Sequence, residues 1–348
     1  MRNDIFQKKQ CIASAIGSMS LKDPEEACGF IIETFQNDLI FWPQLPRRSF
    51  YENMYVQYSE GLPGVVIDEK NQRIFVDTSA EKFMQELEAS YQAYEQNDID
   101  YFSMSQKCAS GLYAMLRLLP KLTSFSAIKG QVIGPISFAL SVTDQDKQPL
   151  MYNADVFEII TKTLAMKARW QIRKLKESNA LLRTTVVFID EPYLVSIGSS
   201  FVALKKEQVI SSINAVIKAI HEEGALAGIH CCGNTDWSIV LETDLDILNF
   251  DAYSYAENLF LYKDVLKSFV DRKGIIAWGI VPTSQDVELN EGSAKKLVEK
   301  LTTLSKEKNI SLTRCLITPS CGCGSITSDE LNILIHALTV KTANLLSR

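Results

Sequence analysis

Eight short runs rich in β-branched and apolar residues, separated by longer amphipathic stretches, divide this chain into repeating strand–helix units. Alternation of this kind is typical of a parallel sheet covered by helices. Several of the runs are almost wholly apolar, as expected of strands buried on both faces. The predicted strands are Cys11–Ser18, Leu39–Gln44, Ser126–Gly134, Thr184–Asp190, Ala225–Cys231, Asp246–Asp251, Ile275–Val281 and Leu312–Pro319.

Eight strand–helix units predict an α/β fold, a (β/α)8 TIM barrel, as one catalytic domain over residues 1–348. The length of 348 residues suits one barrel with an insertion. An open doubly wound sheet is the alternative, but no Gly-x-Gly-x-x-Gly follows the first strand. Residues 60–120 are predicted to form an insertion or cap between strands two and three. Within it we expect a β-hairpin, Val65–Asp68 with Arg73–Asp77, and helices near 79–96 and 105–119.

Helix-end signals support this division of the chain. Asp23 before Pro24 is typical of a helix N-cap. Gly224 is expected to end a helix over Lys206–Glu223. Further helices are predicted at Asp155–Glu177, Ala256–Arg272 and Ser328–Leu346.

Composition excludes several function classes. The chain has 36 basic and 42 acidic residues and a formal charge of −6, so we expect neither nucleic acid nor a membrane as a partner. There is no apolar run of transmembrane length, and the first residues are too polar for a signal peptide. Eight cysteines are too few for a disulfide scaffold of this size. A reducing, cytoplasmic location is predicted.

Potential metal ligands stand where predicted strands end. His230 and Cys232 are two residues apart, so on an extended strand end their side chains share a face. Cys321 follows the last strand and comes close to them if the barrel closes. One imidazole and two thiolates suit Zn²⁺, and three protein ligands with an open fourth position mark a catalytic site. Asp251 is a candidate fourth ligand, and Cys323 is an alternative one.

We do not expect the remaining cysteines and histidines to bind a metal. A single cysteine in an apolar segment is usually a small core residue, and we assign that role to Cys11, Cys28, Cys108 and Cys315. The other two histidines, His221 and His336, fall in predicted helices and are expected to pack or face solvent.

Asp190 ends an apolar run, so its carboxylate must meet a cation, a donor or water. It could anchor a substrate ammonium group or form a structural ion pair.

Five short motifs in order carry a family resemblance. The chain resembles the catalytic domain of cobalamin-independent methionine synthase. That family shares a superfamily with uroporphyrinogen decarboxylase and the corrinoid-dependent thiol methyltransferases. The resemblance runs from about residue 16 to residue 322, nearly the whole chain. The motifs are Ile16-Gly17-Ser18, Gly134-Pro135-Ile136-Ser137, Phe188-Ile189-Asp190-Glu191-Pro192, His230-Cys231-Cys232 and Pro319-Ser320-Cys321-Gly322.

The resemblance implies a role for each matching residue. His230, Cys232 and Cys321 correspond to the family's zinc ligands, and Asp251 falls where the family has a glutamate ligand. Asp190 corresponds to the carboxylate that receives the amino group of homocysteine, and Glu52 stands near a second such acid. The segment of Ile16, Gly17 and Ser18 matches the one that holds the homocysteine carboxylate.

Departures from the family pattern bear on the methyl donor. Ser141 stands where the synthases have a tryptophan associated with the folate. Residues 231–236 are closer to the corresponding segment of corrinoid methyltransferases, and we expect the protein to lack the duplicated N-terminal half of the synthase. The resemblance thus implies a zinc-dependent methyltransferase that acts on homocysteine or a similar small thiol. Its donor is expected to be a methylcorrinoid, carried by a separate corrinoid protein, rather than methyltetrahydrofolate.

Two other functions stay open at this stage. A uroporphyrinogen-decarboxylase-like enzyme needs no metal and would hold substrate carboxylates with arginines, for which Arg47 and Arg48 are candidates. A non-catalytic zinc or thiol-binding accessory protein would have a closed site with four protein ligands, for example with Cys323 or Asp251 as the fourth.

Overall fold

The eight predicted strands form one parallel sheet that closes into a barrel. In this computed structural model the sheet order is β1-β11-β10-β9-β8-β7-β5-β2, and all seven strand pairs are parallel. Backbone hydrogen bonds from Leu39 to Ala13 (3.0 Å) and from Gln44 to Gly17 (3.0 Å) join the two outer strands. The fold is therefore the predicted (β/α)8 barrel. The residues described are 5–6, 9–123, 125, 127–197, 204–284, 287–290 and 292–347.

The barrel strands lie close to their predicted positions. Ser126, the predicted start of the third barrel strand, lies outside the described residues. The first two strands are shorter than predicted, with three and two residues. Beyond these residues the two segments leave the hydrogen-bonded sheet, and a β-bridge pairs them at Ser18 and Gln44. The barrel strands are β1 (Cys11–Ala13), β2 (Ile40–Phe41), β5 (Ala127–Ile133), β7 (Thr184–Asp190), β8 (Leu226–Cys231), β9 (Ile247–Phe250), β10 (Ile275–Val281) and β11 (Cys315–Pro319).

A second, three-stranded sheet accompanies the barrel. Its first two strands are the predicted hairpin, β3 (Val65–Asp68) and β4 (Arg73–Val76), which pair antiparallel. The third, β6 (Thr143–Asp144), was not predicted; it lies in the connection that follows the third barrel strand, just after a short helix, and pairs with β4. The segment between barrel strands two and three is thus tied to the loop that follows strand three.

Helices connect the strands. Asp23 caps the first helix as predicted, since its side chain accepts the N–H groups of Glu25 and Glu26. Gly224 has a φ of +66°, a backbone conformation that suits the glycine predicted to end a helix. The α-helices are α1 (Pro24–Thr34), α2 (Met54–Ser59), α3 (Phe83–Glu95), α4 (Ser110–Leu118), α5 (Pro135–Ser141), α6 (Ala154–Ser178), α7 (Lys206–Glu222), α8 (Trp237–Leu241), α9 (Ala252–Leu259), α10 (Lys263–Asp271), α11 (Ser293–Lys308) and α12 (Asp329–Leu346).

One helix prediction was wrong. The stretch Ala256–Arg272 is not one helix, because a 3-10 turn at Phe260–Tyr262 separates α9 from α10. The backbone of Tyr262 leaves the helical region at φ −106° and ψ 47°, while Phe260 is buried. Among the helices of the described ranges, none has the length and apolar character to cross a membrane.

His336 of α12 is a buried histidine packed among aromatic rings outside the barrel. The ring centroids of Phe30, Phe35 and Phe41 lie 6.0, 6.0 and 6.1 Å away. Its Nδ1 donates to the carbonyl of Asn332 at 2.8 Å, and its Nε2 has no partner among the described residues. Burial lowers the pKa of His336 to about 4. The helix-packing role expected of this residue is confirmed.

This histidine makes the fold acid-sensitive. Because the folded-state pKa lies below the usual 6.5, the neutral ring stabilises the fold fully above pH 6.5, and that stabilisation is lost as the pH falls towards 4. It amounts to about 3 kcal/mol. We expect His336→Asn, which keeps a donor for Asn332, to reduce the loss of unfolding free energy between pH 7 and 4.5. Urea denaturation of metal-free protein measures this, and parallel pH curves for the two proteins would contradict it.

Candidate metal centre

Three side chains with metal-ligand chemistry meet at the carboxyl ends of the barrel strands. They are His230 and Cys232, at the end of β8, and Cys321, which follows β11. Their ligand atoms all lie within 4.8 Å of one another. His230 is buried, whereas the two cysteines are partly exposed. These are the residues that the sequence proposed as ligands, and together they could hold a metal ion.

Asn249 of β9 fixes the orientation of the His230 ring. Strand register places the two residues side by side, and His230 Nδ1 lies 2.6 Å from the Asn249 side-chain oxygen. The Asn249 amide nitrogen donates to the Ala277 carbonyl at 3.0 Å and to the Thr318 hydroxyl at 2.8 Å. Its oxygen is therefore the acceptor, so Nδ1 carries a proton and Nε2 is the ring nitrogen directed to the metal group. Such outer partners usually set the tautomer of a metal-binding histidine.

The two cysteine side chains are hydrogen-bonded to each other. A hydrogen bond from Cys321, with a further contribution from His230, lowers the pKa of Cys232 to about 4. The same contact raises the pKa of Cys321. Burial lowers the pKa of His230, but its contacts with Cys232 and Asp190 outweigh that effect and raise it. A nitrogen and two sulfurs, one already ionised, fit zinc better than they fit a hard cation such as Mg²⁺.

A cavity opens directly from the three potential ligands. Its volume is about 340 Å³, which is enough for a small-molecule site. It also reaches the segments that follow the first and second strands, so that most of the residues singled out in the sequence line one space, whereas Gly17 is not among the lining residues. Its lining includes Ile16, Ser18, Glu52, Asp190, His230, Cys232 and Cys321.

Asp190 lines this cavity, and one of its carboxylate oxygens is buried and unsatisfied. The residue is 5% exposed, and its Oδ1 has no hydrogen-bond partner among the described residues. Burial raises the pKa of Asp190 to about 6. A buried carboxylate oxygen without a donor is costly, so a bound molecule that brings a donor to the Asp190 carboxylate would offset that cost.

Glu52 and Glu191 differ from Asp190, because protein groups already donate hydrogen bonds to their carboxylates. Glu52 accepts from the backbone of Leu45 at 3.2 Å and from Arg48 at 3.0 Å, and Ser110 donates to it at 2.5 Å. Glu191 accepts three hydrogen bonds from Ile136 and Ser137 at the start of α5. Burial raises the pKa of both carboxyl groups. Glu52 lines the cavity as the sequence proposed, but its hydrogen bonds hold the loop that precedes α2.

Asp251 and Cys323 lie outside the group whose ligand atoms meet. Asp251 is the N-cap of α9, and its carboxylate accepts the N–H of Ser254 at 2.9 Å. Cys323 is 1% exposed, so it packs in the core. Away from the site, His221 contacts Asp246 at 2.7 Å. Within the described chain, the metal-ligand group is thus the set of three.

Two inward-facing residues of β5 were missed by the sequence reasoning. Lys129 and Gln131 are fully buried, and Lys129 donates to the carbonyl of Ile16. Asn249, which orients His230, was missed as well. In β5 the available signal was two polar residues, two positions apart in an otherwise apolar strand, which places their side chains on one face.

Comparison with known sequences does not identify the chain: no protein-family model matches it, and no curated protein does. The metal centre must therefore be interpreted from its own geometry.

Loss of Asn249 should weaken the metal site. We expect Asn249→Ala to lower zinc affinity about 10- to 100-fold, because the His230 ring loses the acceptor that fixes its tautomer. Competition with a chromophoric zinc chelator measures the affinity. Thr318→Val is the matched control, since it removes another partner of Asn249 and leaves the contact with His230 in place. Equal zinc affinities for Asn249→Ala and the unmodified protein would contradict the role of Asn249.

Proposed function

We propose that this protein is a zinc-dependent methyltransferase that moves a methyl group to the thiol of homocysteine. The observation that carries the proposal is the joint opening of two features onto one cavity. One is the His230, Cys232 and Cys321 group, and the other is the side chain of Asp190, whose buried carboxylate has one oxygen without a hydrogen-bond partner. A site of this kind offers a place for a thiol and, beside it, an acceptor for an ammonium group.

Each residue then has a defined task. Zinc held by the three ligands would lower the pKa of a bound thiol, so that the nucleophilic thiolate form predominates. Asp190 would accept the substrate ammonium group, with a charge-assisted hydrogen bond worth about 1.5–3 kcal/mol. Backbone N–H groups of the segment from Ile16 to Ser18 would bind the carboxylate. Holding the thiol in line with the donor supplies part of the rate enhancement.

The surroundings of Cys232 favour a bulky donor. Tyr55 is hydrogen-bonded to Ser141, and burial raises the pKa of Tyr55 to about 12. The residue also lies close enough to Cys232 and Tyr193 for their charges to raise this pKa. Ser141 is small where the synthase family has a tryptophan, and Tyr193 is 40% exposed. We propose a methylcorrinoid as donor, free or on a corrinoid protein. The reaction would form a carbon–sulfur bond and release the thiol proton, while the carbon–cobalt bond breaks with its electron pair left on the corrinoid, which departs in the cobalt(I) form.

The arginines needed by a decarboxylase-like alternative already bind protein groups. Arg48 contacts Glu52 at 3.0 Å, and Arg47 donates to the carbonyls of Ile326 and Thr327 at 3.3 and 3.0 Å. The placement of Asp251 and Cys323 outside the ligand group likewise disfavours a closed, non-catalytic zinc site.

Methionine formation tests the proposal. Zinc-loaded protein is incubated with homocysteine and methylcobalamin and, in parallel, with homocysteine and methyltetrahydrofolate. We expect methionine in the first mixture and none in the second. Methionine from the folate alone would contradict the proposed donor. Absence of methionine from both mixtures, with homocysteine bound, would contradict the proposed reaction.

A further inference from the structure

Two cysteine side chains face each other where the first and last barrel strands pair. Strand register places Cys11 of β1 directly beside Cys315 of β11, and their Sγ atoms lie 3.2 Å apart. Each Sγ is also 3.1 Å from the carbonyl oxygen of Leu312. Both cysteines begin their strands. The pair therefore lies at the amino ends of the strands, at the opposite end of the barrel from the metal centre and its cavity.

The backbone around this pair has the dimensions that a disulfide requires. Neighbouring strands are about 4.8 Å apart, and the two Cα atoms of a disulfide are usually about 4.4–6.8 Å apart. The two sulfurs need to come only about 1 Å closer to reach the length of a disulfide bond. Small rotations of the two side chains supply that movement, so the bond can form while the strands stay paired.

The hydrogen bond between the two side chains makes them chemically unequal. The contact with Cys315 lowers the pKa of Cys11. The same contact, together with burial, raises the pKa of Cys315. Because a thiolate attacks an oxidant and a thiol does not, Cys11 is the sulfur that reacts first, and Cys315 stands beside it to complete a disulfide.

The end of a helix covers this pair. Cys11 and Cys315 are 1% and 2% exposed, so an oxidant reaches them only through a local opening. Ser347 directly follows α12, and its Oγ binds the N–H of Cys11 at 3.1 Å and the carbonyl of Cys11 at 2.9 Å. Helix ends open locally at a much lower free-energy cost than the core. A small oxidant such as hydrogen peroxide can enter by this route.

We propose that Cys11 and Cys315 are a redox-active pair that hydrogen peroxide converts to a reversible disulfide between the first and last strands of the barrel. The Cys11 thiolate attacks a peroxide oxygen, hydroxide leaves, and a sulfenic acid forms. The Cys315 sulfur then attacks the Cys11 sulfur and expels its oxygen as water. Two thiols and one peroxide thus give one disulfide and two waters. This inference is independent of the proposed function.

The disulfide would stabilise the barrel. It would join residues that are 304 positions apart in the chain, and a cross-link that closes a long loop restricts the unfolded chain strongly. It would also reinforce a pairing that involves only the three residues of β1. We expect the thermal unfolding midpoint of the oxidised protein to lie about 5 °C above that of the reduced protein.

Peptide mapping tests whether the bond forms. Folded, full-length protein is treated with stoichiometric hydrogen peroxide, its free thiols are alkylated in urea, and a tryptic digest is analysed without reduction. We expect a cross-linked pair of peptides that dithiothreitol separates. The tryptic peptide that begins at Cys315 also contains Cys321 and Cys323, so fragmentation is needed to place the bond at Cys315.

Two variants connect the bond to the change in stability. Cys315→Ser should lose both the cross-link and the shift in midpoint between oxidised and reduced protein. Cys28→Ser is the matched control, because Cys28 is another buried cysteine, whose Sγ donates to the Gly111 carbonyl at 3.4 Å. It should keep both the cross-link and the shift.

The peptide map of the unmodified protein decides the inference even if a variant fails to fold. Recovery of Cys11 and Cys315 as alkylated thiols after peroxide treatment would overturn it, and so would a bond from Cys11 to Cys321 or Cys323. A cross-link at Cys315 without a rise in the unfolding midpoint would overturn the stabilising role.

Discussion

Replacing Cys321 by serine should abolish both zinc binding and methyl transfer. Cys321 is one of only two sulfurs in the group of three ligands found among the described residues, and a serine hydroxyl is a much poorer ligand for zinc than a thiolate. Loss of an outer partner alone costs about 10- to 100-fold in metal affinity, so loss of a ligand should cost more than about 100-fold. Zinc per chain after dialysis and the rate of methionine formation measure the two effects.

Cys323→Ser is the matched control for that variant. Cys323 stands two residues away, is 1% exposed, and lies outside the ligand group. The exchange of sulfur for oxygen is the same, so general damage to this loop would appear in both variants. We expect Cys323→Ser to retain one zinc per chain. Full zinc and full activity in Cys321→Ser would overturn the assignment of Cys321 as a zinc ligand. Loss of zinc in Cys323→Ser alone would show that Cys323 is the ligand instead.

Replacing Asp190 by asparagine should sharply reduce the use of homocysteine. The change keeps the shape of the side chain and removes the charge that would pair with the substrate ammonium group. A hydrogen bond to a charged group is worth about 1.5–3 kcal/mol, so kcat/KM for homocysteine should fall about 10- to 100-fold. Steady-state methionine formation at pH 7.5 measures it, since the pKa of Asp190 is raised only to about 6 and the unmodified residue is ionised there.

A substrate without the amino group is the control for Asp190. 4-Mercaptobutanoate keeps the thiol and carboxylate of homocysteine but has no ammonium group for Asp190 to bind. We expect its turnover to change little in Asp190→Asn and zinc content to stay the same. Equal losses for the two thiols would show that Asp190 acts on the metal centre or the fold instead.

The fold could be predicted because the strands are strongly patterned. Thr184–Asp190 and Ile275–Val281 were found with the right ends, since long apolar runs between helices have few other structures available. The break between α9 and α10 escaped prediction, because Phe260–Tyr262 continues the apolar pattern and has no proline or glycine. The pairing of β6 escaped as well, since two residues carry too little pattern to indicate a strand.

The candidate site could be predicted only in part. His230, Cys232 and Cys321 stand at strand ends, where the carboxyl edge of a barrel brings distant residues together. Asn249 and Lys129 lie within the strands, and their partners are set by the register between strands, which a single sequence does not show.

X-ray absorption at the zinc edge tests the central claim most directly. That claim is that His230, Cys232 and Cys321 bind one metal ion with a position left for a substrate thiol. In the zinc-loaded protein we expect two sulfur neighbours at about 2.3 Å, and a third at the same distance after homocysteine is added. A sulfur count that stays the same when homocysteine binds, or four protein ligands before it is added, would contradict the account.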